Sequence, residues 1–239
     1  SPTKMVYFSK GNLQATINEN GVLIAWRFAA NQYDFLGEGG ANNTIGTQAG
    51  DVDLFGWPTA STYYGISTSE NEKDYSGDFV DWGKAIGDGK TWRTLSKDEW
   101  VYLFNIRATS TVNGTVNARY AKAIVCEKEG IILLPDTYVH PTGVTTLSSI
   151  NDKGAEFTDN NYNLTDWKKM EDAGAVFLPA AGGRYGSYVD DVGVYGHYWS
   201  STADDSNYAC SVHFACYDVY PGVSHRDYGY SVRLITESK

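Results

Sequence analysis

Helical signals in this chain are confined to two stretches, and no strand–helix–strand alternation links them. A doubly wound parallel sheet needs that alternation, so the expected class is α+β. The first stretch opens at Ser96-Lys97-Asp98-Glu99, a capping box, and places Trp100, Leu103, Phe104 and Arg107 on one side. The second spans Asn163 to Asp172, capped by Thr165 or Asn163, turns Trp167 and Met170 inward and ends at Ala173-Gly174. Around them lie short apolar runs: Val6–Ser9, Val22–Trp26 across a turn at Asn18 to Gly21, Ile131–Leu134 and Val176–Leu178. Residues 37–56 are Gly, Asn and Asp rich, and 57–91 stay irregular around Trp57, Tyr63, Tyr64, Phe79 and Trp82. Beyond Pro179 strands and glycine-marked turns remain. Tyr208 to Tyr217 alternates, with Cys210, Val212, Phe214 and Cys216 on one face and Ser211, His213 and Ala215 on the other.

With 239 residues, the chain makes one large domain or two small ones and can bury a sizeable core. Its net charge of −10, with no basic run, makes nucleic acid or an anionic membrane a poor partner. No apolar stretch is long enough to span a bilayer. No signal peptide is visible, and Ser1-Pro2-Thr3-Lys4 carries no initiator Met, so an upstream export signal, anchor or further domain is expected. Three Cys are too few for a disulfide scaffold.

One interval stands apart. From Ala173 to Ile235 there is no Lys, Glu, Gln or Met, although the first 172 residues hold 25 of them. Polarity is not the cause, because the interval carries six Asp, three Arg and three His. The missing types, with Trp, are the amino acids that no pyrimidine-ending codon encodes. Apart from Trp199, the interval reads as drawn from that restricted alphabet. It also holds nine of the eighteen Tyr. Tyr185, Tyr188, Tyr195, Tyr208, Tyr217 and Tyr220 are interleaved with Ser, Gly, Asp, Asn and His, which is the composition of a binding surface. The alternative is ordinary packing of strand aromatics.

Other constellations carry less. Cys210, His213, Cys216 and His225 could suggest a metal, but alternation sends His213 to the face opposite both Cys. Asp190-Asp191 and Asp204-Asp205 sit in turns, where Asp caps backbone groups. Many Ser, His and Asp are available, yet no nucleophile-elbow pattern or Gly-rich phosphate loop accompanies them. His140 beside Pro141 is a lone loop histidine.

Val176-Phe177-Leu178-Pro179-Ala180-Ala181-Gly182-Gly183-Arg184, Val192-Gly193, Gly196-His197-Tyr198-Trp199-Ser200-Ser201-Thr202 and Tyr228-Gly229-Tyr230-Ser231-Val232-Arg233-Leu234-Ile235 occur in that order. Together they resemble the C-terminal half of the major-paralogous-domain proteins first named in Fibrobacter. Val6 to Gln14, Trp26 to Ala29 and Trp92 to Trp100 extend the resemblance over most of the chain. Those proteins share a C-type-lectin-like fold with the formylglycine-generating, sulfatase-modifying group. The resemblance therefore implies one loop-rich C-type-lectin-like domain over 1–239, with scaffold in 1–172 and a C-terminal half in 173–239.

Some members of this fold group are variable proteins of diversity-generating retroelements. Adenine randomisation of Asn codons ending in a pyrimidine yields the restricted alphabet noted above. By resemblance, the variable ligand-binding region is 185–227, with Tyr185, Asp190, Asp191, Tyr195, His197, Tyr208, Ser211, His213, Ala215, Cys216, Asp218, Tyr220, Ser224, His225 and Arg226 as substituted sites. These are expected to share one exposed face over a buried framework that includes Trp199 and Arg233. A non-enzymatic receptor or adhesin follows, exported or cell-surface in a bacterium, or phage-encoded. Its ligand would be a protein or glycan on a cell or phage surface, and no cofactor or metal is implied. The alternatives are a formylglycine-generating-type enzyme or metal-site protein using Cys210 and Cys216, and an undiversified adhesion module. The Cys spacing departs from the enzymes' pair, and the Glu-Pro-Asn and Trp-Asn-Asp calcium motifs of sugar-binding C-type lectins are absent.

Overall fold

The computed structural model describes residues 5–237; Ser1 to Lys4, the basis for expecting an upstream segment, lie outside them. Strands β1 (Val6–Phe8), β2 (Leu13–Ile17), β3 (Leu23–Phe28), β4 (Gly50–Val52) and β5 (Trp92–Thr94) precede helix α1 (Lys97–Val101). Strands β6 (Tyr120–Val125), β7 (Lys128–Leu133) and β8 (Asn161–Tyr162) come before helix α2 (Leu164–Asp172). The C-terminal part holds β9 (Val176–Pro179), β10 (Gly183–Tyr185), β11 (Tyr188–Asp190), β12 (Gly196–Ala203), β13 (Tyr208–Ala215), β14 (Asp218–His225) and β15 (Leu234–Glu237). Many short strands with two short helices make a mixed α+β protein.

Both helices begin as their caps dictate. The Ser96 hydroxyl accepts from the Glu99 amide at 3.3 Å, and the Glu99 carboxylate accepts from the Ser96 amide at 2.9 Å. Arg93 locks that carboxylate with two bonds of 2.7 and 2.6 Å. A π-helical turn over Tyr102–Ile106 continues α1. It buries Phe104, and the Arg107 side chain bonds Asp136 at 2.9 Å. The Asn163 side chain caps α2 by accepting from the Thr165 and Asp166 amides, while Trp167 and Met170 pack inward.

The sheets are small. In order, they are β1-β15-β5, β3-β2-β4, β8-β6-β7-β9, β10-β11 and β12-β13-β14. The first joins the two ends of the described chain, with Val6 opposite Glu237 and Phe8 opposite Ile235. Two details differ from the sequence reading. The turn at Asn18 to Gly21 connects β2 to β3, so Leu13–Ile17 is the strand before it, and Val6–Phe8 pairs with β15 instead. The segment after Tyr217 forms β14 despite Pro221, because β14 is the edge of its sheet and loses no ladder bond on its free side.

Framework motifs meet in the core. The Trp199 indole donates to the Phe55 carbonyl at 2.6 Å, Trp57 to Ser200 at 2.9 Å and Trp100 to Trp199 at 3.3 Å. Tyr198 donates to the Pro179 carbonyl at 3.0 Å and accepts from Asn12 at 3.1 Å. Arg233 is buried, with Gln32 at 2.8 Å and Asn12 and the Lys10 carbonyl at 3.3 Å. Desolvation holds its pKa down to about 10.

Candidate ligand-binding face

The β12-β13-β14 sheet separates two environments by alternation. Val212 and Phe214 enter the core beside Trp100, Leu178 and Tyr198. On the opposite face, His197, His213 and Tyr220 lie side by side across the three strands, and Trp199, Ser211 and Gly222 form the next row. Trp199 and Ala209 at the inner end join a second core cluster with Tyr230.

An unbroken series of ring contacts spreads from there. Tyr195 stacks on His197 at 5.6 Å, and His197 stacks on Tyr230 at 4.4 Å. Tyr220 stacks on His213 at 5.3 Å. Tyr228 joins Tyr230 at 6.2 Å, Tyr185 at 4.8 Å and His225 at 5.2 Å, and His225 meets Tyr208 at 4.3 Å. Tyr195 and Tyr220 are the exposed outer rings, at 40% and 44%.

The two central histidines form a floor beneath this layer. Each is 7% exposed, and their Nδ1 atoms are in hydrogen-bond contact. Ser211 Oγ is 2.7 Å from His213 Nε2; Tyr230 donates at 3.1 Å to Ser224, whose Oγ lies 3.4 Å from Ser211 Oγ. Burial pushes both imidazole pKa values well below the usual range; for His197 the nearby His213 adds to the effect. Both rings are therefore neutral near pH 7, and one Nδ1 donates to the other. In either tautomer arrangement His197 Nε2 is left without a protein partner. Ser211, His213 and His197 have the connectivity of a nucleophile, base and orienting group. Ser211 is buried, however, so its hydroxyl is a structural link here.

A second part of the face lies around Tyr185 and Tyr228. Tyr185 pairs with exposed Tyr188 in the β10-β11 hairpin, which also places Asp190 opposite Gly183. His225 Nδ1 is 2.9 Å from Glu72. Beneath them Arg184 is wholly buried, donating to the Gly186 carbonyl at 2.8 Å and the Leu54 carbonyl at 3.3 Å. Asp227, 7% exposed, has one carboxylate oxygen without a hydrogen-bond partner.

The fifteen sequence-selected residues divide accordingly. Asp190, Tyr195, Asp218 and Tyr220 are exposed, and Tyr185, Asp191, Tyr208 and His225 are half-buried. Asp190 and Asp191 lie in electrostatic reach of Tyr185, and Asp218 in reach of His213. The expectation of one exposed face is corrected for the others. His197, Ser211, His213, Ala215 and Ser224 are buried; Tyr195 and Tyr230 pack on His197, and Tyr220 and Tyr230 on His213. Half-buried Cys216 turns to the other side and packs against the Phe214 cluster. Arg226 is buried, its guanidinium 4.2 Å from the Trp57 ring centre and bonded to the carbonyls of Tyr75, Gly77, Asp205 and Tyr208. Sequence reasoning did not select Glu70, Glu72, Tyr228 or Tyr230. The tyrosines sat inside a framework motif, and the glutamates lie in a distant loop that only folding brings here.

Cys126, Cys210 and Cys216 are free thiols, and burial pushes all three pKa values up. Among the described residues no three His, Cys, Asp or Glu side chains converge as a metal site. No described helix is long and apolar enough to cross a membrane. Comparison with known proteins finds no matching family model, no matching curated protein and no matching solved structure.

Proposed function

We propose that this protein is a non-enzymatic ligand-binding protein of receptor or adhesin type, the variable protein of a diversity-generating retroelement. Its scaffold is C-type-lectin-like, in one domain over 1–239, and its diversified surface lies within 185–227. The observation that carries this reading is one of coincidence. The ring face falls inside the interval that lacks Lys, Glu, Gln and Met. The motif residues flanking it, Pro179, Tyr198, Trp199 and Arg233, are buried and tied by hydrogen bonds to the rest of the core. Exposed Tyr and Asp thus ride on a rigid floor, which suits selection for new ligands at low cost to the fold. Rigid aromatic area favours a protein or glycan on a cell or phage surface as the ligand, reached by an exported protein of a bacterium or a phage. Upward-shifted Cys210 and Cys216 are poor thiolate nucleophiles, so no observation favours a formylglycine-generating activity.

The test is at the DNA level. A near-identical repeat beside a reverse transcriptase gene should differ from codons 185–227 at template adenines. It should match at codons for Tyr198 to Thr202 and Ser231 to Leu234. Differences spread evenly over the chain, or the lack of any such repeat, would remove the reading.

A further inference from the structure

Resting on the ligand-face reading, we propose that the Tyr185–Tyr228 end of the face takes a cationic partner: a lysine or arginine side chain of a protein segment, held between Glu70 and Glu72. Charge is the first argument. Glu72 reaches the face through His225, and the Glu70 carboxylate leans on the backbone of Gly186, the residue after Tyr185. Asp190 and Asp191 flank the other side of Tyr185. Glu72 is paired with His225, but among the described residues no Lys or Arg, exposed Lys73 included, forms an ion pair with Glu70, Glu72, Asp190 or Asp191. Arg184 is wholly buried on carbonyls, and Arg226 is spent on the Trp57 ring and on backbone oxygens. The interval 173–235 has no Lys at all.

A second, independent observation is the buried carboxylate of Asp227. It lies in electrostatic reach of Glu70, Glu72 and His225, and one of its oxygens has no partner. Arg184 is in reach of it too, yet bonds only carbonyls. A poorly paired carboxylate under two more raises the local negative potential, which an incoming cation relieves. Rings supply the third element. Tyr228 meets Tyr185 edge-on and His225 at an angle and lies in electrostatic reach of Asp227 and Glu72, so aromatic rings stand beside the carboxylates, the combination that favours a cation. A metal ion would instead need three converging ligands, which the described residues do not offer. The continuation of rings to Tyr195 and Tyr220 gives more contact area than a free amine can cover, which points to a protein segment.

The test pans a phage library of random dodecapeptides against the intact protein. Enriched peptides should carry Lys or Arg well above the library frequency. Their affinity should fall about tenfold for the Glu70→Gln/Glu72→Gln variant, and equally when arginine in the peptide is replaced by neutral citrulline. Glu70 is exposed and half-buried Glu72 opens a short 3-10 turn, and a circular dichroism spectrum checks that the variant folds. Peptides with no excess of Lys or Arg, affinity unchanged by the double substitution, or no enriched peptide would each overturn the proposal. If neutral peptides bind and lose binding on Tyr220→Ala, the ligand face stands and only its cationic preference falls.

Discussion

At the residue scale, His197 and His213 show how a side chain readable in sequence acquires its chemistry only from the fold. Alternation placed His213 opposite Val212 and Phe214, and the structure agrees. Its burial was not legible, because it depends on Tyr220 arriving from β14 and on Tyr230, which lies seventeen residues further along the chain and is bridged to Phe55. Burial holds the folded pKa values at about 3 for His197 and about 4 for His213, below the unfolded value of 6.5. The unfolded chain thus binds more protons between these limits. The stability contributed by the neutral pair is complete above pH 6.5 and is lost as pH falls toward 4. Asp218 opposes part of the shift at His213, and Tyr195, Tyr220 and Tyr230 face the pair without charge. Two groups give a steepest slope of about 2.7 kcal/mol per pH unit. Urea unfolding at pH 7, 6 and 5 should show that fall, and the His197→Phe/His213→Leu variant should lose most of it. An equal slope in the variant would refute the assignment.

Elements were legible where local chemistry decides them. The capping box at Ser96 and the Asn163 cap each start a helix where the sequence placed one. Ser96→Ala removes one side-chain acceptor at the α1 terminus and should cost about 1 kcal/mol in chemical unfolding, leaving the ring contacts around Tyr230 intact. A loss below a few tenths would mean that the Arg93–Glu99 pair alone holds the turn. Strands whose fate depends on distant partners were not legible. Leu13–Ile17 alternates, with Leu13, Ala15 and Ile17 in the core and Gln14 and Thr16 bonded to Arg27, but so short a run becomes a strand only by pairing with β3 and β4 on either side. In β14, Pro221 and Gly222 hide a strand that exists by pairing with β13 from Tyr208–His225 to Ala215–Asp218. Gly196 shows the same dependence at close range: a Cβ there would strike the Phe214 ring across the strand pair. Gly196→Ala should therefore destabilise by about 1–3 kcal/mol in thermal unfolding.

For the molecule as a whole, the decisive separation is between positions that hold the fold and positions that only ride on it. Composition alone marked the interval 173–235 as one unit, yet the structure divides it by depth. Trp199, Ser211, His213 and Ser224 lie under the surface, while Asp190, Asp218 and Tyr220 face out. Periodicity could separate the two faces of β13 but could not say which face was covered. That depended on Tyr220 and Tyr230, which reach His213 from outside β13, and on Tyr195, which stacks on His197. A scan of substitutions read by thermal unfolding should follow depth rather than membership of the interval. Asp218→Ala removes an exposed side chain and Asp190→Ala gives up only a surface bond from the Asp191 amide, so each should cost about 1 kcal/mol or less. Trp199→Ala empties a fully packed site and removes the indole's bond to the Phe55 carbonyl, which keeps only the Tyr230 amide, so it should cost about 3–5 kcal/mol. Arg233→Ala leaves Gln32 and Asn12 without their shared donor in the core and should fall in the same range. If the outer positions proved as costly as Trp199, they would belong to the framework, and a surface free to vary could not lie there.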